Sequence, residues 1–408
     1  MTAERLNGSQ SEWRLDPTTC LFGARALRDF GDGFVAILLP VYLLSLGLTP
    51  FEVGIVATVS LLGSAFLTIG VGLIGTRYGY RRLLLAAAGL MIATGIAFAM
   101  VHDYAVLLVI AFTGTINPSA GSVSVFVPLE HAALAAAVGD SDRTKMFARY
   151  SLVGAFAAAA GALAAAAPDV IAPLGVDQLT AIKAMFVLYA LLGVLGGTLY
   201  ARVPRAEPVP GTRAPSALGP SRKVVLKLAA LFSLDAFAGG FVVQSLLALW
   251  LFERFDLSLA AAAAFFFWSG VASAFSFPVA AWLSRRIGLV NTMVFTHIPS
   301  SIALILAAFA PTLPEVLALL LLRAALSQMD VPTRSSYVMA IVTPAERAAA
   351  ASFTSVPRSL AAAASPALAG AMFAASYRSW PLVICGALKI IYDLLLLVQF
   401  RHQKPPER

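Results

Sequence analysis

A small set of ionisable side chains sits inside long apolar stretches of this 408-residue chain. At such a depth each costs about 2.5–3.5 kcal/mol on insertion scales unless it is paired or useful. Residues 21–46 hold Arg25, Arg28, Asp29 and Asp32, and the four-residue spacing puts Arg25 one helical turn from Asp29 and Arg28 one turn from Asp32. Asp32 is the deeper acid, flanked by Gly31 and Gly33 with Pro40 beyond, and a carboxylate beside pliable backbone suits a gate or a proton site. Residues 224–252 carry Asp235, then Gly239, Gly240 and Gln244, with no base at that depth on the same helix. Asp235 must find a cation across a cavity or be held neutral, as a proton carrier requires. Residues 314–341 carry Arg323, Gln328, Asp330, Pro332 and Arg334; Asp330 and Arg334 are one turn apart, and Pro332 should free carbonyls and kink the helix between them. Arg358, after Pro357, has no acid in its own stretch and calls for an anionic substrate group, or for Asp235 or Asp330, as its partner.

The chemistry open to this set is proton binding, anion binding and the making and breaking of charge pairs. Asp32, Asp235 and Asp330 are the candidates for proton coupling, and Arg323, Gln328, Arg334, Arg358 and Gln244 for substrate contact. Asp29, Arg77, Arg81, Arg82, Glu130 and Arg149 are the candidates for gating, the last two beside His131 near the inner mouth. Lys389 and Asp393, four apart, read as an intrahelical pair, and His102 and His297 as lone structural histidines. Cys20 and Cys385 form no second pair, and no metal constellation, nucleophile motif or phosphate-binding glycine loop is present. Neither a cofactor nor enzymatic catalysis is expected.

The elements that hold these residues are long apolar segments. With 59% hydrophobic residues, 12% charged residues and a mean hydropathy of +0.84, the composition excludes a soluble domain of this size. Segments long enough to cross a hydrocarbon core run 21–46, 51–75, 83–101, 104–130, 147–167, 178–201, 224–252, 258–283, 289–310, 314–341, 347–374 and 379–400. None alternates as barrel strands do, so an all-α protein of twelve transmembrane helices is expected. The aromatic run Phe265–Trp268, with Phe275 and Phe277, is expected to face lipid. Arg77, Arg81, Arg82, Arg143, Lys145, Arg202, Arg205, Arg213, Arg222, Lys223, Lys227, Arg285, Arg286, Arg347, Arg401, Lys404 and Arg408 fall on one side; Lys183, Arg254 and Arg378 fall opposite. The excess of positive charge places both termini in the cytoplasm of a multi-pass protein of the cytoplasmic (inner) membrane, and the net charge of +8 is a topology signal rather than a nucleic-acid footprint. The polar residues 1–20 do not resemble a signal peptide.

The chain also repeats itself. At an offset of 204, Val127, Pro128, Val138 and Arg143 fall on Val331, Pro332, Val342 and Arg347 without a gap, and Glu130 falls on Arg334. The expected units are a six-helix bundle at 1–202, a proline-rich cytoplasmic linker at 203–223 and a second bundle at 224–408. The loop Gly72-Leu-Ile-Gly-Thr-Arg77-Tyr-Gly79-Tyr-Arg81-Arg82 resembles the signature of the major facilitator superfamily, G-x-x-x-D-R-x-G-R-R, and Ala281-Trp-Leu-Ser-Arg285-Arg286-Ile-Gly288 is a weaker copy. Both depart at the acidic position, where Thr76 and Arg285 stand. The drug-antiporter element of span five has no counterpart at Gly154–Gly161, and its nearest match is Ser365-Pro366-Ala-Leu-Ala369-Gly370 in span eleven. The resemblance implies a monomeric secondary transporter in the lipid bilayer, moving a small organic solute by alternating access. Proton-coupled efflux of a drug-like compound or metabolite is the leading expectation. Proton- or ion-coupled uptake or exchange of an organic anion, and a non-transporting sensor, are the alternatives.

Overall fold

The computed structural model describes residues 16–120, 124–137, 143–204, 218–343 and 346–401, and the regular structure in them is helical. The first half comprises α1 (Pro17–Ser45), α2 (Pro50–Tyr78), α3 (Tyr80–Met100), α4 (Tyr104–Thr113), α5 (Phe126–Ala137), α6 (Arg143–Ala164), α7 (Ala167–Ile171) and α8 (Gln178–Tyr200). The second comprises α9 (Arg222–Gly240), α10 (Gln244–Phe255), α11 (Leu259–Ile287), α12 (Leu289–Phe309), α13 (Leu313–Ser327), α14 (Asp330–Ile341), α15 (Arg347–Ala364), α16 (Pro366–Ala374) and α17 (Trp380–Phe400). Nine segments among the described residues are long and apolar enough to cross a membrane. The charged α1, the broken α4–α5 and the proline-interrupted α15–α16 complete the twelve expected spans. Large apolar side chains such as Leu73, Trp268, Phe275, Phe309 and Val398 are exposed on the bundle, as a lipid-facing belt requires. The aromatic run divides, with Phe265 and Phe266 packed inside and Trp268 and Phe275 facing out.

The two ends of the bundle turn the chain differently. At one end helices start on side-chain caps: Thr49 with Glu52 for α2, Asp103 for α4, Asp177 for α8 and Ser258 for α11. At the other, the arginine-rich end, α2 passes to α3 through Gly79 at φ 69° and α11 to α12 through Gly288 at φ 86°, a left-handed backbone that a side chain would strain. The glycines of the two loop copies thus do the same work. The side chains of Thr76, Arg77, Arg143 and Lys145, and the linker positions 205–217, lie outside the described residues.

Four expected spans are not continuous helices. The stretch 104–130 leaves the helix at 114–120, around Pro118, and is helical again from Phe126; 224–252 opens at 241–243, after Gly239 and Gly240; 314–341 opens at 328–329; and 347–374 is interrupted at Ser365, before Pro366. In the third case the break precedes the proline instead of lying between Asp330 and Arg334. Pro332 has no N–H for the carbonyl of Gln328, which accepts from Val331 instead, and the proline sits comfortably in the first turn of α14. Pro128 occupies the same position in α5, 204 residues earlier.

Helix packing repeats between the halves: α1 on α6 and α8 matches α9 on α15 and α17, α3 on α8 matches α12 on α17, and α2 on α4 matches α11 on α13. The halves meet where α2 packs on α15 and α16, and α11 on α6. Glycine permits that contact, since a Cβ on Gly54 would stand 2.9 Å from the Cα of Gly370. Three hydrogen bonds join the halves among the described residues: Ala260 N–H to Asp169 Oδ2 at 2.9 Å, Ala367 N–H to Thr58 Oγ1 at 2.9 Å, and Ser245 N–H to the Pro118 carbonyl at 3.0 Å. They run from the capped end to mid-depth, so the halves are fastened there.

Candidate functional site: two buried charge networks

Each half buries a charge network toward its arginine-rich end. In the first, Arg28 of α1 donates to Glu130 of α5 at 3.1 Å and faces Asp29 at 3.3 Å, while Arg25 pairs with Asp29 at 2.6 Å, one turn away as its spacing predicts. Glu130 is fully buried and accepts from the Tyr200 hydroxyl at 2.6 Å and from the Tyr150 hydroxyl. It therefore sits within the network, where the sequence pointed to a gate near the mouth. Arg25 lies over the Tyr150 ring and Arg28 over the Phe126 ring, at 4.7 and 4.9 Å. Asp32 is buried but thinly held: Arg28 is 3.9 Å away, at the limit of an ion pair, and the Tyr189 hydroxyl is at 3.3 Å and also reaches Thr115.

In the second half, Asp235 of α9 finds cations on two other helices. Arg334 of α14 donates to its Oδ2 at 2.9 Å and Lys389 of α17 to its Oδ1 at 2.6 Å. Arg334 also holds Asp330 at 3.0 Å, the one-turn pair that the spacing suggested. Lys389 and Asp393 are not paired with one another. Asp393 faces His297 of α12, with Nδ1 at 3.0 and 3.1 Å from its two oxygens, and Lys389 stands 3.3 Å from Nε2 of the same ring. His297 is thus buried between two charged residues, not lone.

The networks occupy equivalent places. Gly33 approaches Ala158 and Ala162, and Gly240 approaches Ala362 and Ser365, so α1 and α9 align at an offset of 207 while the helices they touch align at 204. In that register Arg28 corresponds to Asp235, and Glu130 to Arg334. The same ion pair is built twice with its charges exchanged.

The remaining candidates are less engaged. Arg358 is exposed on α15, has no hydrogen bond or ion pair among the described residues, and has Arg334, Asp235 and Asp330 as its charged neighbours, which places it on the inner side of the bundle. Arg323 lies on α13 beside Cys385, likewise without an ion pair among the described residues. Gln244 follows the break at 241–243 and Gln328 lies in the break at 328–329. Arg81 and Arg149 are part-exposed and exposed, Arg82 is exposed, and none joins either network among the described residues. Tyr150, Tyr189, Tyr200 and His297 complete the networks without having stood out in the sequence; only the correspondence of Glu130 with Arg334 pointed there.

Comparison with known proteins agrees with this architecture. The chain is 23% identical over 416 residues to an uncharacterized membrane protein of Saccharomyces cerevisiae, covering 93% of each. Its structure is similar to a POT family peptide transporter (TM-score 0.73, 13% identity, 96% of this chain and 98% of that one). It also resembles the nucleoside transporter NupG (TM-score 0.71, 14% identity, 95% and 100%) and the human organic anion transporter MFSD10 (TM-score 0.65, 18% identity, 93% and 98%). The family model described as Major Facilitator Superfamily matches residues 21–298 and 229–408. With two six-helix bundles, breaks in equivalent spans and a family match running through both halves, this multi-pass membrane protein belongs to the Major Facilitator Superfamily.

Proposed function

We propose that the protein is a proton-coupled secondary transporter, acting as a monomer, that moves a small organic solute carrying an anionic group. The observation that carries this reading is the mismatch left by the two networks: Asp32 is buried with its nearest cation 3.9 Å away, while Arg358 has no ion-pair partner among the described residues. A proton neutralises the first and an anion the second, so loading both lowers the bare charge carried inside the bundle when the halves rock. With Asp32 assigned to the proton, the partnerless arginine favours organic-anion transport over the export of drug-like cations.

The distribution of Arg and Lys supports cytoplasmic termini in an inner membrane. In that orientation the fastened capped end faces outward. The halves 1–202 and 224–408 then rock about this seam, tethered by 203–223. Asp235, held by two cations, serves as the brace of its half rather than as the first proton acceptor.

Proteoliposomes loaded with a pH-sensitive dye test this, with panels of small organic anions and lipophilic cations applied to wild type, Asp32→Asn and Arg358→Gln. Anion-dependent proton flux is expected in the wild type alone, with solute exchange surviving in Asp32→Asn and lost in Arg358→Gln. A cation-dependent flux that survives Arg358→Gln would replace the anion reading with drug export, and a wild type that moves solute without protons would remove the coupling.

A further inference from the structure

The ring of His297 is held in a way that its tautomer makes explicit. Lys389 can only donate, so the Nε2 that faces it at 3.3 Å accepts, and the ring proton lies on Nδ1, directed at Asp393. In this state Asp393, with no exposed surface, carries a negative charge whose sole hydrogen-bond or ion-pair partner among the described residues is a neutral imidazole. That is a costly arrangement in a membrane interior, and one added proton removes it.

Other charges around the ring are consistent with a site for that proton. From α17 come Asp393, Lys389 and the edge of the Tyr392 ring, centred 6.1 Å away. From α9 comes Asp235, whose Oδ1 is 3.9 Å from Nε2. From α14, Arg334 and Asp330 reach the ring only through Asp235. On α13, Arg323 offers its carbonyl to Ser300, one turn along α12 from His297. The charged residues of α11, Arg285 and Arg286, lie in that helix's last turn.

We propose that His297 is a second proton-binding site, separate from Asp32, and that a proton on its Nε2 loosens Lys389 from Asp235. The proton takes the lone pair that Lys389 now faces, so two cationic N–H groups oppose each other. Nε2–H then turns to Asp235 Oδ1 in competition with Lys389, which weakens the tie between α17 and α9. Asp393 keeps the ring oriented throughout. This rests on the proton-coupled reading given above, but the site can be tested without any solute.

The direct probe is the proton itself. In protein carrying His102→Gln, His131→Gln and His402→Gln, the 15N-histidine NMR spectrum reports His297 alone. The expected result is a neutral Nδ1–H tautomer at alkaline pH that gains a second ring proton on acidification in the wild type but not in Asp393→Asn. A His297 signal that keeps one tautomer throughout, or that converts equally well with Asn at 393, would overturn the proposal. If the triple substitution unfolds the chain, labelled wild type compared with His297→Gln identifies the same signal by difference. In dye-loaded proteoliposomes, the protons moved per solute should fall to about half in His297→Gln. An unchanged ratio would discard the second site while leaving coupling at Asp32 intact, whereas a wild type without proton flux would discard the coupled reading and leave the titration standing.

Discussion

Arg28 donates to Glu130 between α1 and α5, and Arg334 donates to Asp235 between α14 and α9, at corresponding places in the two halves but with the charges exchanged. The surroundings account for the exchange. Around Arg28 stand two further acids on its own helix, Asp29 and Asp32, so the α1 position must be a cation; around Asp235 stands Lys389, so the α9 position must be an anion. Duplication supplied the place for a pair, and the third helix decided its polarity. The halves also differ in their neutral partners. Glu130 rests on two tyrosine hydroxyls, whereas Asp235 is held by cations alone at hydrogen-bond distance.

That difference can be broken most severely at Arg334. Substituting alanine leaves Asp330 without a cation and Asp235 with Lys389 only, and should cost about 3–5 kcal/mol of stability in a detergent unfolding assay. The exchange of polarity is sharpened by Asp235→Arg combined with Arg334→Glu. This double variant should remain as unstable as the single Arg334→Glu variant, because the new arginine faces Lys389, and adding Lys389→Glu should restore much of the loss. Recovery in the double variant by itself would show that Lys389 does not set the polarity. A smaller effect is expected in the first half, where Glu130→Gln removes the charge opposite Arg28 but keeps contact with Tyr150 and Tyr200. A loss of about 1–3 kcal/mol should appear in the same assay.

The smallest effect lies at the arginine-rich end of the second half, outside the spans. Hydrogen bonds from Ser221 and Thr343, with the backbone N–H groups of Gly219 and Ser221, hold the Glu346 carboxyl below the usual carboxylate range. A depressed folded-state pKa contributes stability that is present above the unfolded value and lost as pH falls through the folded one. The melting temperature of wild type should therefore exceed that of Glu346→Gln at neutral pH, and the gap should close on acidification below the ordinary carboxylate range. A gap constant between pH 7 and pH 3 would show that the carboxylate charge contributes nothing there.

Much of this arrangement was legible along single helices. The pairs Arg25–Asp29 and Asp330–Arg334 follow from their four-residue spacing, because residues one turn apart share a face in any helix. The same rule misled at Lys389 and Asp393, where two partners on other helices lie closer and more favourably oriented than the two do to each other. It was only loosely met at Arg28 and Asp32, since Arg28 turns instead to Glu130. His297 looked solitary because its polar partners among the described residues come from α17 and α9, near residues 393 and 235.

What the sequence determined by itself was the solvent, the repeat and the reach: apolar length requires lipid and helices, the 204-residue offset requires two like halves, and the basic loops mark one end. Tertiary structure alone decided which charges meet. Partner choice depends on how each helix is rotated about its axis and slid along its neighbours, and the 207-residue register of α1 on α9, three residues off the rest of the repeat, is such a slide. It brings Asp235 opposite Arg334 in the place of Arg28 opposite Glu130, and leaves Asp32 and Arg358 among the charges that no close ion pair within the described residues neutralises.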